Sequence, residues 1–183
     1  DWHLFELVLL LRIHNFLRAL VKEQNDHTIL LQNPTSGPWC TYRIAKDIQF
    51  SLWYQRWPSG LGKSKISEIK DWYQLAGEPN RPDIIIELER EGYRESFILI
   101  EAKATSKANY AVSGLSQLHG YIEDRDLLSV QGFRPWLLLP DNELFKNRSN
   151  AEEAPLIEIH SIDSMVNRLA DLFGDFTSQI RYQ

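Results

Sequence analysis

Cysteine is almost missing from this 183-residue chain. Its one cysteine, Cys40, excludes an internal disulfide and any zinc site built from several thiolates. That usage suits a reducing cytoplasm, the compartment we expect. No apolar run reaches the roughly 18 residues that a membrane span needs. The most apolar segment, near the start, is broken by Arg12, His14, Asn15 and Arg18, and it lacks the basic start and small-residue cleavage site of a secretion signal. A basic surplus is missing too, since 20 Lys and Arg stand against 25 Asp and Glu, a net charge of −5. This counts against a broad surface that coats nucleic acid, and it leaves room for an acidic metal site inside a local basic rim. There is no internal repeat and no low-complexity tract. The chain opens on Asp1, without an initiator Met, directly into a helix-like pattern, so we expect a piece of a longer protein. What remains is ordinary globular composition, 43% hydrophobic and 25% charged. The length suits one domain over residues 1–183 with its own core.

Periodicity places the elements. Residues 2 to 22 carry Trp2, Phe5, Leu9, Ile13, Phe16, Leu17, Leu20 and Val21 at helical spacing. Thr28 to Leu31 predicts a short strand, and NPTSGPW (33–39) a turn by its Pro and Gly. Within 41–54, the alternation of Ile48, Phe50, Leu52 and Tyr54 predicts a strand. PSGLGKSK (58–65) reads as a flexible connector, of the kind that is more often functional or disordered than structural. Helices are predicted over 66–75, 110–129 and 163–174. RPWLLLP (134–140) predicts a short buried strand stopped by Pro140, PLIEIHSI (155–162) another strand, and DNELFKNRSNAEEA (141–154) a polar excursion. Helices at both ends with strands between them predict a mixed sheet covered by helices.

Residues 81–104, RPDIIIELEREGYRESFILIEAKA, hold two very apolar runs, each with charge at an unexpected place. We read 83–89 and 97–103 as an antiparallel hairpin turning near Gly92, in the register that sets Asp83 opposite Glu101. Side chains alternate along a strand, so Ile84, Ile86, Leu88, Ile98, Ile100 and Ala102 share a wholly apolar face that should be core. The other face gathers Asp83, Glu101 and Lys103 at the open end, with Glu87 and Glu89 as polar positions toward the turn. Directly opposed residues have Cβ atoms about 5 Å apart. Two carboxylates so close repel, and one stays protonated unless a cation neutralises them. Hard oxygen ligands at this spacing suit Mg²⁺ or Mn²⁺, with phosphate oxygens and water completing the shell. Lys103 beside that ion would hold or deprotonate an attacking water, or offset charge developing on phosphate. Strand ends also carry charge simply because they meet solvent. Pro-Asp, a spacer, an apolar strand and Glu-x-Lys taken together form a much rarer object.

Pro82-Asp83 followed by Glu101-Ala102-Lys103 resembles the motif of the PD-(D/E)XK phosphodiesterase superfamily, the restriction-endonuclease-like nucleases. The resemblance implies an α/β fold of order αβββαβ, a central mixed four-stranded sheet flanked by helices. It implies that Asp83 and Glu101 bind the metal, aided by the backbone carbonyl of Ala102, and that Lys103 serves the water nucleophile. QLHGY sets Gln117 and Tyr121 four apart on a helix, and looks like the QxxxY element of the RecB-like branch, where that helix leans over the site. Glu6, in FELVLLL, stands where many members carry a first-helix glutamate that completes the metal shell. FELVLLLRIHNFL, then IQFSLWYQRWP ahead of RPDIII, resembles more loosely the McrC-like nuclease subunits of modified-cytosine restriction systems. The core match covers roughly residues 80 to 140, and its acid-x-Lys signature is intact.

Of the remaining residues, His119 reads as a partly exposed helix histidine, and His3, His14, His27 and His160 lack metal-ligand spacing. Lys63, Lys65 and Lys70, with Lys107, Asn109 and Tyr110 after the second strand of the hairpin, are candidates for phosphate contacts. Trp57, beside a Pro/Gly loop carrying lysines, is the tryptophan best placed to stack on a base. The expectation is a Mg²⁺- or Mn²⁺-dependent endonuclease that hydrolyses DNA in a restriction, anti-phage defence or repair setting. The alternatives are an RNA-cleaving nuclease and an inactive nucleic-acid-binding or assembly module of the same fold. The expected partners are DNA, or RNA in the alternative, and an NTPase or recognition domain in the same chain or complex. A homodimer is compatible with this reading, and no membrane is expected.

Overall fold

Strands that are apolar on both faces belong in the middle of a covered sheet. The runs Ile84–Ile85–Ile86 and Phe97–Ile98–Leu99–Ile100, all without solvent exposure, occupy that place. The computed structural model describes residues 2–22, 28–31, 37–76, 80–105, 107–141 and 155–180. Its elements in chain order are α1 (Trp2–Lys22), β1 (Thr28–Leu31), β2 (Cys40–Arg43), β3 (Ile48–Tyr54), α2 (Lys65–Tyr73), β4 (Ile84–Arg90), β5 (Tyr93–Ala102), α3 (Ala108–Arg125), β6 (Phe133–Leu139), β7 (Glu158–Ser161) and α4 (Ile162–Ile180). The strands form one mixed sheet of seven, in sequence order. Pairing is antiparallel from β1 to β5, then parallel for β5–β6 and β6–β7. A parallel neighbour needs a crossover, and α3 supplies it between β5 and β6.

The sheet separates two cores. On one face, Leu9, Ile13, Leu17 and Val21 of α1 and Met165, Leu169 and Phe173 of α4 pack on Phe50, Ile84, Ile86, Ile98 and Ile100. On the other, Leu118 and Tyr121 of α3 pack on Trp53, Ile85, Phe97, Leu99 and Leu137. The fold is therefore mixed α/β with helices on both sides of the sheet, and the sheet has seven strands where four were expected. The single strand anticipated within 41–54 is two, because Ile44 N–H turns back to the Ile48 carbonyl at 3.0 Å between them. β1 falls at Thr28–Leu31 as predicted and β7 lies within the predicted 155–162, while β2, only four residues long, leaves little alternation to tell it from β3.

The hairpin holds the expected register from Ile84 opposite Ile100 to Leu88 opposite Ser96. It then slips by one residue at a bulge, so that Glu89 faces Arg94. The turn is Glu91–Gly92, with φ of 52° and 80°, the two left-handed residues that a tight hairpin of right-twisted strands requires. Glu87 is a correction to the reading of a merely polar position. It is buried, and its carboxylate accepts from Trp53 Nε1 at 3.2 Å and Arg94 Nε at 2.6 Å.

The segment after β3 is not a free connector. Trp57 Nε1 donates to the Asn80 carbonyl at 2.9 Å, and the Arg125 guanidinium of α3 lies over its ring at 4.4 Å and donates to the Gly62 carbonyl at 2.7 Å. Helix α2 starts at a double cap. Ser64 Oγ accepts from Ser67 N–H, and Asp124 of α3 accepts from Ile66 N–H at 2.7 Å. Helix α3 begins two residues earlier than predicted and stops at Arg125, where Asp126 turns left-handed (φ 53°). Residues 33–36 of the predicted turn, 142–154 of the polar excursion and His27 lie outside the described residues. No helix among the described residues is long and apolar enough to cross a membrane.

Candidate active site

The open end of the β4–β5 hairpin meets the start of α1 and the underside of α3. Asp83 stands just before β4, next to the last paired residues, Ile84 and Ile100. Its carbonyl accepts from Gln55 N–H at 2.9 Å, which carries the β3–β4 pairing one step further. Its Oδ2 accepts from the Ala102 N–H at 2.7 Å, so the carboxylate bridges to the end of β5. Glu101 is the penultimate residue of β5 and only 2% exposed. Lys103 donates from Nζ to Glu101 Oε1 at 2.6 Å, and its own N–H goes to the Leu138 carbonyl at 2.9 Å, tying it to β6. Glu6 reaches in from α1, also 2% exposed, and its Oε2 accepts from Tyr54 Oη at 3.2 Å and Gln55 Nε2 at 3.0 Å.

The electrostatics follow from this crowding. Burial pushes Asp83 up to about 8, reinforced by the charges of Glu101 and Glu6 and opposed by the Ala102 N–H and Lys103. Burial also raises Glu101, with Lys103 opposing and Glu6 adding to the shift. Burial and the neighbouring Glu6 push Tyr54 up to about 12. Asp83 and Glu101 thus share a space that resists holding both of their charges without a cation. Glu101 Oε2 is buried and has no hydrogen-bond partner. An acceptor left so costs roughly 1–3 kcal/mol, and more when charged.

These residues fit a hard divalent cation held in an open shell. Among the described residues, no three His, Cys, Asp or Glu side chains converge closely enough to hold an ion by themselves. Mg²⁺ does not need such a cage, because it takes one or two carboxylates and keeps waters and phosphate oxygens as its other ligands. The unpartnered oxygen of Glu101 beside the raised carboxyl of Asp83 matches that mode.

The other predicted residues divide between one buried at the site and several at exposed or half-buried positions. Tyr121 is buried, and its hydroxyl donates to the Arg81 carbonyl at 2.5 Å, holding the backbone two residues before Asp83. A hydroxyl has one hydrogen, so Tyr121 close to Glu101 does not satisfy Glu101 Oε2 as well. Burial, then the charges of Glu101 and Asp83, raise this phenol strongly. Gln117, one turn before Tyr121, and His119, two residues before it, are both exposed on α3. Lys107, Asn109 and Tyr110 are exposed where α3 begins, soon after Lys103. Lys63 is exposed, Lys65 donates to the Glu123 carbonyl at 2.9 Å, and Lys70 is half-buried. Trp57 is not a free stacking platform. Arg125 lies over its ring and Tyr121 meets it in a T-shaped contact at 5.5 Å.

Tyr54, Gln55 and the Arg81 carbonyl are parts of the site that sequence reasoning missed. The only signal for Gln55 was its place directly after an alternating strand, where it turns left-handed (φ 49°). The Tyr121 contact predicts that Tyr121→Phe folds, melts a few degrees lower and binds Mn²⁺ about three- to ten-fold more weakly, the loss of roughly one hydrogen bond. A Mn²⁺ titration followed by melting temperature measures both, and unchanged values would show that the contact is idle.

No protein-family model, no curated protein and no solved structure matches this chain. The functional reading therefore stands on the residues and their geometry.

Proposed function

We propose that this chain is a metal-dependent nuclease of the PD-(D/E)XK kind that hydrolyses phosphodiester bonds of DNA. One observation carries the reading. Two acids and a lysine gather at the open end of the β4–β5 hairpin, with Lys103 on one oxygen of Glu101 and the other oxygen buried and unpartnered. The element order gives further support. α1, then β3, β4 and β5, then α3 and β6 follow the αβββαβ order, with α2 inserted and β1, β2 and β7 extending the sheet.

Asp83 and Glu101 would hold Mg²⁺ or Mn²⁺, with the Ala102 carbonyl completing the protein's share of the shell, while Glu6, expected as a further ligand, stands beside them on Tyr54 and Gln55 and adds negative charge. Such an ion, when bound, supplies Lewis acidity to the phosphate and lowers the pKa of water. Lys103 holds the attacking water or the phosphate oxygen that gains charge. Water attacks phosphorus in line with the leaving oxygen, whose bond to phosphorus breaks. Tyr121 keeps Asp83 in place through Arg81. Lys107, Asn109 and Tyr110, exposed where α3 begins soon after Lys103, would offer contacts to the phosphate backbone, which position a duplex without reading its sequence, whereas Lys63 stands beside Gly62 at the other end of α3. Specificity would come from an NTPase or recognition domain, in a restriction, anti-phage or repair setting.

The test is cleavage by purified protein of supercoiled plasmid, linear duplex and single-stranded RNA, in millimolar Mg²⁺ or Mn²⁺ and in EDTA. We expect metal-dependent conversion of plasmid to nicked and linear forms, and none in EDTA. Cutting of RNA alone would move the substrate to RNA. Failure to cut anything in either metal would overturn the nuclease reading in favour of a binding or assembly module.

A further inference from the structure

Helix α3 carries a glycine in its interior, Gly114, where alanine would make a more stable helix. Its φ is not left-handed, so the backbone does not demand glycine there. Space does. A Cβ at Gly114 would lie 2.6 Å from Leu137 Cδ1, 3.0 Å from Lys103 Cγ and 3.3 Å from Lys103 Cε. Two of those three atoms belong to the lysine of the site. Gly120, on the same helix, would place its Cβ within 4 Å of nothing, so the crowding is particular to Gly114.

Lys103 is thus held at three points. Its backbone N–H is on the Leu138 carbonyl, its stem runs under Gly114, and its ammonium is on Glu101. The ends alone do not set the path, because a lysine stem has several rotatable bonds and many routes between two anchors. We propose that Gly114 is a positioning residue whose bare Cα lets α3 close on the stem of Lys103 and set the path that brings the ammonium to Glu101. The contact stands on its own, and its catalytic consequence rests on the nuclease reading above. Holding a group in one orientation before the reaction is worth large factors in rate, so a small rerouting of the stem has a large cost.

The two crowded neighbours differ in how they can yield. Leu137 Cδ1 is the tip of a fully buried side chain, and at 2.6 Å it is the harder clash, which a shorter side chain relieves. Lys103 Cγ lies in mid-stem, and it moves only if the stem takes another route or α3 lifts. Gly114→Ala therefore perturbs the lysine, and adding Leu137→Val removes the Leu137 clash and safeguards folding. Gly120→Ala is the control on the same helix.

Three quantities are measured on each variant: the melting temperature, the rate at which an amine-reactive ester acylates Lys103 in the metal-free protein (read by peptide mass spectrometry), and kcat and KM for plasmid cleavage. The Lys103 side chain is 22% exposed, so it is open to the reagent, and its pairing with Glu101 slows the reaction. For Gly114→Ala with Leu137→Val we expect melting close to that of the parent chain. Lys103 acylation should rise several-fold and kcat should fall by about ten-fold or more, with KM within about two-fold. Gly120→Ala should leave acylation and cleavage unchanged and raise the melting temperature by a few degrees at most, since alanine favours the helix and meets nothing there. If the folded Gly114 variant acylates Lys103 at the parent rate, the proposal is overturned whatever happens to cleavage. If acylation rises while the parent chain cuts no nucleic acid, the positioning stands and the nuclease reading falls.

Discussion

Lys103→Ala is expected to lower kcat for plasmid cleavage by about a thousand-fold or more and to leave the sheet folded, and Asp83→Ala is expected to abolish both cleavage and the binding of metal. The two variants fail differently because the residues meet different things. Asp83 holds the end of β5 through the Ala102 N–H and presents its carboxylate beside Glu101. Removing it takes away half of the acidic pair while leaving the apolar faces of β4 and β5 untouched. Lys103 lies outside the pair, on Glu101 Oε1. Removing it leaves the acids in place and deprives Glu101 of its one cation partner. Lys103→Ala should therefore still gain melting temperature on addition of Mg²⁺, and gain more than the parent chain does, whereas Asp83→Ala should gain little. Cleavage assays with melting curves in Mg²⁺ and in EDTA decide the matter. Undiminished cutting by both variants would end the nuclease reading.

The second large effect is on stability. The metal-free protein should lose stability as pH rises between about 4 and about 8, and Mg²⁺ should restore it most at the upper end. The sign follows from Asp83. Its ordinary value is 3.8, and burial with its acidic neighbours pushes it up to about 8 in the folded chain. Between those values the folded protein holds a proton that the unfolded chain releases, so rising pH favours unfolding. One unit is worth 1.36 kcal/mol, and because Glu101 and Asp83 share the local charge the net effect is on the order of 3 kcal/mol. Buried Glu87 and Glu101 are raised too and act in the same direction. Glu158 acts in the opposite sense. Its hydrogen bond to His160, with help from Arg168, holds it down to about 2, so its contribution is lost only in acid, below the window of interest. A divalent cation prefers the ionised acids, so its binding should release protons, detectable by calorimetry in buffers of different ionisation heat. Asp83→Asn should flatten the pH dependence and remove most of the metal response. A metal-free melting temperature that climbs from pH 5 to pH 8 would contradict the arrangement of charges described here.

Tyr121 and Gln117 show how far a motif carries. Their spacing of four set both beside one helix face, yet only Tyr121 turns inward, and its partner is the Arg81 carbonyl. Nothing in Gln-x-x-x-Tyr specifies a carbonyl forty residues earlier in the chain as that partner. Trp57 misled for a similar reason. A tryptophan beside lysines in a loop invites a stacking role, but Arg125 and Tyr121 arrive from a distant helix and occupy it.

The chain's own order of residues determined α1, the apolar faces of β4 and β5, the register near the open end of their hairpin, and hence that Asp83, Glu101 and Lys103 end close together. Those outcomes depend on alternation, helical period and a short turn, all of which act between near neighbours. Packing of the layers decided the rest. Glu6 belongs to the helix on one face of the sheet while Tyr121 and Gly114 belong to the helix on the other, and they reach Asp83, Glu101 and Lys103 only because both helices close over the same end. No local periodicity encodes such a meeting, since it depends on how side chains far apart in the chain fill the space between layers.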